Sequence, residues 1–324
     1  MAAYTRPAMG GSDFSLTLFW IAVCCYLVGL VGFVLYLAFR RRIFADLALG
    51  AVMTGWPFHL GSIVSRAIQA QHWPLGNMYE YSLAIAFVIT TVFLVLALRN
   101  GLRLIGVPCT MMAVALMGVA YMLYVPPGNL VPALHSYWLT IHVTAMATSS
   151  GILVFSFVFA MLYLARRWAD QRVAGQGSGR RDADGRPRAM APAGTPLSVG
   201  GGSGGGSRTL AMARTVQRAL PQAGTLDAWS YRFVMLGFPI WSFGVICGAI
   251  WGEHAWGRYW GWDPKETFAF ITWVIFAIYL HARVTYGWRE TRAAVITGVG
   301  FVSILFTLYA VNLWIAGLHS YAKA

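Results

Sequence analysis

The densest run of chemically capable side chains in this 324-residue sequence is Trp251-Gly-Glu-His-Ala-Trp-Gly-Arg-Tyr-Trp-Gly-Trp-Asp-Pro-Lys-Glu266. Four of the fourteen tryptophans, Trp251, Trp256, Trp260 and Trp262, fall within twelve residues, separated by Gly252, Gly257 and Gly261. An aromatic belt at a membrane interface accounts for one or two tryptophans at a helix end. Four in one connection, spaced by glycines that permit close backbone approach, suit a large, flat, apolar ligand. Arg258 and Lys265 stand beside them and are candidate contacts for carboxylates on that ligand, since Arg pairs bidentately with carboxylate. Asp263-Pro-Lys-Glu266 also has a structural reading: Asp suits the N-cap, Pro the first helical position and Glu the third, which together start a helix.

The second reactive set is seven histidines, His59, His72, His135, His142, His254, His281 and His319. What they can do depends on the elements that carry them. The chain is 58% apolar and only 11% charged, with a mean hydropathy of +0.61. A soluble globular protein has about 25% charged residues, so too few charges are present to cover a water-facing surface. A cytosolic globular enzyme, a disordered chain and a nucleic-acid binder are all excluded, despite a net charge of +13. The expected fold class is all-α, a polytopic membrane protein.

Apolar runs long enough to cross about 30 Å of hydrocarbon lie near 14–39, 45–66, 79–98, 102–124, 136–165, 228–252, 265–283 and 292–318. They predict about eight transmembrane helices, the first of them a retained span and not a cleaved signal. Of the 24 Lys and Arg residues, 19 fall in the connections on one side. The positive-inside rule makes that side cytoplasmic and places both termini, with the Trp-rich connection, on the extracytoplasmic side. Three regions follow: residues 1–165 with five helices, a basic Gly/Ser-rich cytoplasmic linker over 166–227 that is expected to be disordered, and 228–324 with three helices and the loop 251–266. A short amphipathic piece near Thr209 to Leu220 suits the membrane surface. Cys24, Cys25, Cys109 and Cys247 lie inside apolar runs without C-x-x-C spacing, so the chain is neither a thioredoxin-like reductase nor itself a c-type cytochrome.

On this topology His142 lies one to two turns into the fifth span and His319 closes the eighth, both near the Trp-rich loop. Two imidazoles from different helices beside a flat aromatic bowl match the axial needs of haem iron. His281 lies 17 residues after Pro264, about 25 Å along one helix, so it serves either an inner station or merely snorkels beside Arg283. His59 suits a satisfied core histidine, while His72, His135 and His254 fall in outer loops.

The WG-x-x-W…WGWDPKE run resembles the signature of the CcsA/ResC family of cytochrome c biogenesis proteins. Further matches are Ser136-Tyr-Trp-Leu-Thr-Ile-His142-Val, Tyr279-Leu-His-Ala-Arg283, Val311-Asn-Leu-Trp-Ile-Ala-Gly-Leu-His-Ser320 and the loop His72-Trp-Pro-Leu-Gly-Asn-Met-Tyr-Glu80. The resemblance covers about 45–165 and 228–321, and the linker departs from compact family members. It implies a holocytochrome-c synthase activity in the plasma membrane, in which haem b is delivered outward and joined covalently to the C-x-x-C-H thiols of apocytochrome c. It further implies axial ligation of the haem iron by His142 and His319, presentation by the loop Trp251, Trp256, Trp260, Trp262 and Asp263, and an inner ligand at His281. Expected partners are a ResB/CcsB-type membrane subunit, apocytochrome c and a thiol-reducing pathway, with no nucleic acid. Two rival functions are a haem exporter without attachment chemistry, and a membrane b-type cytochrome that keeps its haem, for which the Trp-rich loop would be superfluous.

Overall fold

The computed structural model describes residues 14–128, 134–178, 204–315 and 317. All regular structure among them is helical. The helices are α1 (Phe14–Phe39), α2 (Arg42–Ala70), α3 (Met78–Asn100), α4 (Gly106–Met122), α5 (Tyr137–Ser178), α6 (Gly204–Ala219), α7 (Ala223–Trp256), α8 (Pro264–Thr285) and α9 (Glu290–Leu305). A π-helical turn, Phe306–Ala310, carries α9 into a last turn at Val311–Trp314. Eight of these elements are long and apolar enough to span a membrane, with α9 and its continuation counted as one. The eight expected spans are therefore present.

Successive spans alternate, so the bundle has two unlike ends. The connections after α2, α4 and α7 meet at a Trp-rich end. Those after α1, α3, α5 and α8 meet at an arginine-rich end. Central to the bundle is α5, which packs on α3, α7, α9 and α6. Its contact with α7 is set by small residues. A Cβ placed on Gly237 or Gly244 would sit 2.7 Å from Leu153 or Met146 of α5, so the backbones approach as membrane helices do when glycine lines the seam. Nearer the arginine-rich end the same interface closes with stacked rings, Phe155 on Phe233 at 5.2 Å and Phe159 on Trp229 at 5.7 Å.

Two boundaries differ from those expected. At 42 residues α5 is about 63 Å long, twice the hydrocarbon thickness, and continues past Arg166 to Ser178. The stretch 166–227 is thus helical at both ends, where a disordered linker was expected; residues 179–203 lie outside the described ones. The amphipathic piece is α6, and it packs on the extension of α5. Arg166 holds them together by donating to the carbonyls of Gln217 (2.9 Å), Leu220 (2.5 Å) and Pro221 (3.2 Å) while paired with Asp170 at 3.0 Å. The Gln217 carbonyl lies in the last turn of α6 and those of Leu220 and Pro221 just beyond it, where partners within the helix run out. Read along the sequence, Arg166 is one more basic residue. In space it is a C-terminal cap.

Candidate functional site

A partly open cleft lies at the Trp-rich end between α3, α5, α7, α8 and the continuation of α9. Its floor and walls are mainly apolar, with Met146, Trp241, Val245, Ala269 and Leu308 among them. The polar side chains are few: His142, Asn77, Tyr81, Ser150, Tyr259, Lys265, Glu266, Thr307 and Asn312. A largely apolar pocket with a handful of placed polar groups is the usual form of a small-molecule site.

His142 is the best-defined of these. Its Nδ1 lies 2.7 Å from the carbonyl oxygen of Gly244, one turn before Gly248 on α7. A carbonyl only accepts, so Nδ1 carries the proton and the lone pair resides on Nε2. That is how a metal-binding imidazole is commonly oriented, by a hydrogen bond from its other nitrogen. Gly248 makes room for the ring. A Cβ there would lie 2.7 Å from both Cε1 and Nδ1 of His142. Trp251, 1% exposed, stacks nearly parallel to the imidazole, with centroids 6.3 Å apart and planes at 13°. The glycine pair Gly244 and Gly248, four residues apart, was a readable seam signal that the sequence analysis passed over.

The four tryptophans divide into two pairs. Helix α7 runs through Trp256, so the connection proper is only 257–263. Trp251 and Trp256 meet edge to face at 4.7 Å on the helix, and Trp251 reaches the cleft wall. Trp260 also lines the cleft, and it meets Trp262 edge to face at 5.7 Å. Trp262 is 66% exposed and lies over Phe270 at 6.2 Å. Its φ of +56° is a left-handed conformation that costs a bulky residue about 1–3 kcal/mol.

Asp263 caps α8 as expected. Its carboxylate accepts from the Lys265 N–H at 3.1 Å, and Glu266 Oε2 accepts from the backbone N–H groups of Gly261 (2.8 Å) and Asp263 (3.1 Å). Besides capping, Glu266 lines the cleft, a position sequence reasoning did not give it. Lys265 and Arg258 part company. Lys265 lines the cleft and donates to Asn312 Oδ1 at 3.1 Å, whereas Arg258 is exposed with its guanidinium folded against Gly261. Asn312, a polar residue within a predicted span, was a signal that could have been read. His319 lies outside the described residues. Gly317, two positions earlier, packs on Asp263, whose Oδ2 would lie 2.7 Å from a Cβ there.

The structure does not bring His281 to this cleft. It sits exposed at the opposite end of α8, its ring 5.8 Å from that of Tyr286. His59 is fully buried and satisfied: Nε2 donates to the Leu83 carbonyl at 3.2 Å, and Nδ1 accepts from the Tyr26 hydroxyl at 3.2 Å. His72 and His135 share a smaller groove next to the cleft, and His254 is exposed on the last turn of α7.

The chain is 37% identical over 305 residues to the cytochrome c biogenesis protein CcsA of Gloeobacter violaceus, a match covering 88% of this chain and 89% of that one. It is 36% identical over 269 residues to CcsA of Microcystis aeruginosa, covering 79% and 81%. Among solved structures it is similar in fold to the cytochrome c heme lyase CcmF, with a TM-score of 0.62 at 14% identity; the match covers 95% of this chain and 49% of CcmF, so the chain spans about half that protein's length. The profile of the cytochrome c assembly protein family matches residues 75–319, from the loop before α3 past the cleft-lining end of α9. Together with CcsA relatives that align along most of its length, this makes the chain a member of the cytochrome c assembly protein family.

Proposed function

We propose that this protein receives haem b and presents it at the Trp-rich end, on the extracytoplasmic face of the plasma membrane, for covalent attachment to apocytochrome c. Haem is the substrate in this reading. The observation that carries it is the setting of His142, an imidazole anchored through Nδ1 on an α7 carbonyl in a mainly apolar, partly open cleft beside the Trp-rich connection. His319 is the second axial ligand, a role supported by the packing of Gly317 on Asp263 at the cleft edge. Lys265 supplies a cation for a propionate within the cleft wall, and Arg258 one at its mouth.

The chemistry asked of the chain is mainly positioning. Each cysteine S–H adds across one vinyl C=C; sulfur bonds the carbon next to the macrocycle and the proton ends on the terminal carbon. No electrons are exchanged, so a reductant is needed only to keep the thiols free. Trp260 and Tyr259, which line the cleft on the 257–263 connection, hold the macrocycle edge toward the incoming thiols. The excess of Lys and Arg at the other end orients the bundle with that end in the cytoplasm. There His281 faces outward from α8, and a histidine facing lipid is costly. A ResB/CcsB-type partner subunit covers it and completes an inner haem station.

The test is His142→Ala, co-expressed with the partner and read by covalent haem staining of c-type cytochromes. Staining falls at least a hundredfold while the protein stays in the membrane. Normal staining removes His142 from the reaction. Stoichiometric haem retained by the purified chain alone, with no staining defect, makes it a b-type cytochrome instead.

A further inference from the structure

At the Trp-rich end, Arg66 of α2 and Glu80 of α3 form an ion pair with Nε to Oε1 at 2.8 Å, each side chain 1% exposed. Burying two charges so completely costs several kcal/mol per ion, and an apolar pair of similar volume often gives equal or better stability. Stability is therefore a poor explanation for this pair. Its remaining hydrogen bonds suggest another.

Glu80 Oε2 accepts from the Gly76 N–H at 2.8 Å, and the Glu80 N–H in turn donates to the Asn77 side chain at 3.0 Å. Gly76 and Asn77 lie in the stretch Leu75–Met78, all four residues of which line the cleft. On its other side Arg66 Nη2 donates to the Val125 carbonyl at 2.5 Å, in the connection that follows α4. The guanidinium carbon lies 5.2 Å from the centre of the Tyr79 ring and 5.4 Å from that of Tyr124, two rings that meet each other edge to face at 5.1 Å. One fork thus ties two separate connections to the start of α3. A lysine has no such fork.

We infer that Arg66 and Glu80 are positioning residues for the proposed haem site: the pair pins the Leu75–Met78 part of the cleft lining in place, so that the cleft keeps its shape around the macrocycle. Neither residue lines the cleft, and both act through Gly76 and Asn77. The inference rests on the haem reading of the cleft.

The test is the double variant Arg66→Met/Glu80→Leu, which removes both charges at near-constant volume, purified with the partner subunit. Its membrane level stays within twofold of the parent. The bound haem shows a broadened, shifted Soret band and a shifted reduction potential, with cytochrome c maturation down about tenfold. Glu80→Gln, which keeps the shape and weakens both acceptors, gives a smaller change of the same sign and carries the test if the double variant does not accumulate. An unchanged spectrum, potential and maturation in the variant that accumulates overturns the positioning role. Haem binding unaffected by His142→Ala overturns the underlying reading instead, so the two failures are separable.

Discussion

The two ends of the bundle bury their polar groups differently. At the arginine-rich end a wide groove is lined by Arg167, Arg232, Arg283 and Arg289 with Asp170, Asp227 and Glu290. Most of these charges answer one another: Arg283 grips Asp227 with two bonds of 2.9 and 2.6 Å, and Arg167 meets Glu290 at 2.7 Å. The Trp-rich end instead leaves a cleft with few charges and one imidazole held at a fixed angle. A groove whose charges largely pair with one another leaves few groups of this chain free for a ligand; a mainly apolar cleft with a positioned nitrogen offers coordination and apolar contact together. On this contrast, damage at the two ends should be distinguishable by what is lost.

The sharpest break comes from a residue with no side chain of its own. Gly248→Val places two methyl groups where the His142 ring lies and forces the imidazole off its Gly244 carbonyl. Maturation should fall at least tenfold, approaching His142→Ala, with a near-parental amount of protein in the membrane. Haem-stained c-type cytochromes alongside immunoblots of the membrane fraction measure both. Equal staining in Gly248→Val and the parent would show that the α7 seam does not set the histidine.

A middle-sized effect should separate the ends directly. His281→Ala removes an exposed imidazole about 25 Å along α8 from the Trp-rich connection, so haem content of the purified complex should drop severalfold. Variants at Trp260 or Trp262 should keep inner-station haem while attachment fails. If His281→Ala retains full haem and full attachment, the histidine is an interfacial side chain and the inner station is wrong.

At the arginine-rich end, Arg283→Ala leaves Asp227 unpaired beside a groove where the two side chains are only 9% and 12% exposed. Removing one partner of such a pair costs about 3 kcal/mol. Less protein should survive in the membrane and its thermal unfolding midpoint should fall. The surviving protein should bind haem with an unaltered spectrum. A spectral change here would mean that the ends are coupled through α8.

What could be read in advance follows from how local each determinant is. The spans depend on length and hydropathy within one segment, and the capping of α8 on four consecutive residues, Asp263 to Glu266; both were legible. The tautomer of His142 depends on Gly244, 102 positions away, and no spacing rule announces that. Arg66 was counted only as one of five positive charges on the sparser side, because its burial between Tyr79 and Tyr124 exists only after three helices assemble. The extension of α5 was read as linker for a related reason. Its composition is polar and basic, and it is helical where α6 covers it, with Ala169 and Ala213 both fully buried.

The smallest effect should come from Arg166, the cap that joins that extension to α6. Arg166→Ala strips the guanidinium from three carbonyls and leaves Asp170 with the Gln217 amide at 2.7 Å, all far from the Trp-rich cleft. Losing a helix cap costs about 1 kcal/mol, enough to loosen α6 from α5 but too little to unfold eight packed spans. Limited proteolysis should cut near Gly204–Ala219 several times faster than in the parent, since α6 would open locally more often. Haem content, spectrum and maturation should stay within twofold. A large loss of maturation at normal protein levels would give α6 a part in the reaction, and the division between a ligand-bearing end and a self-satisfied one would have to be redrawn.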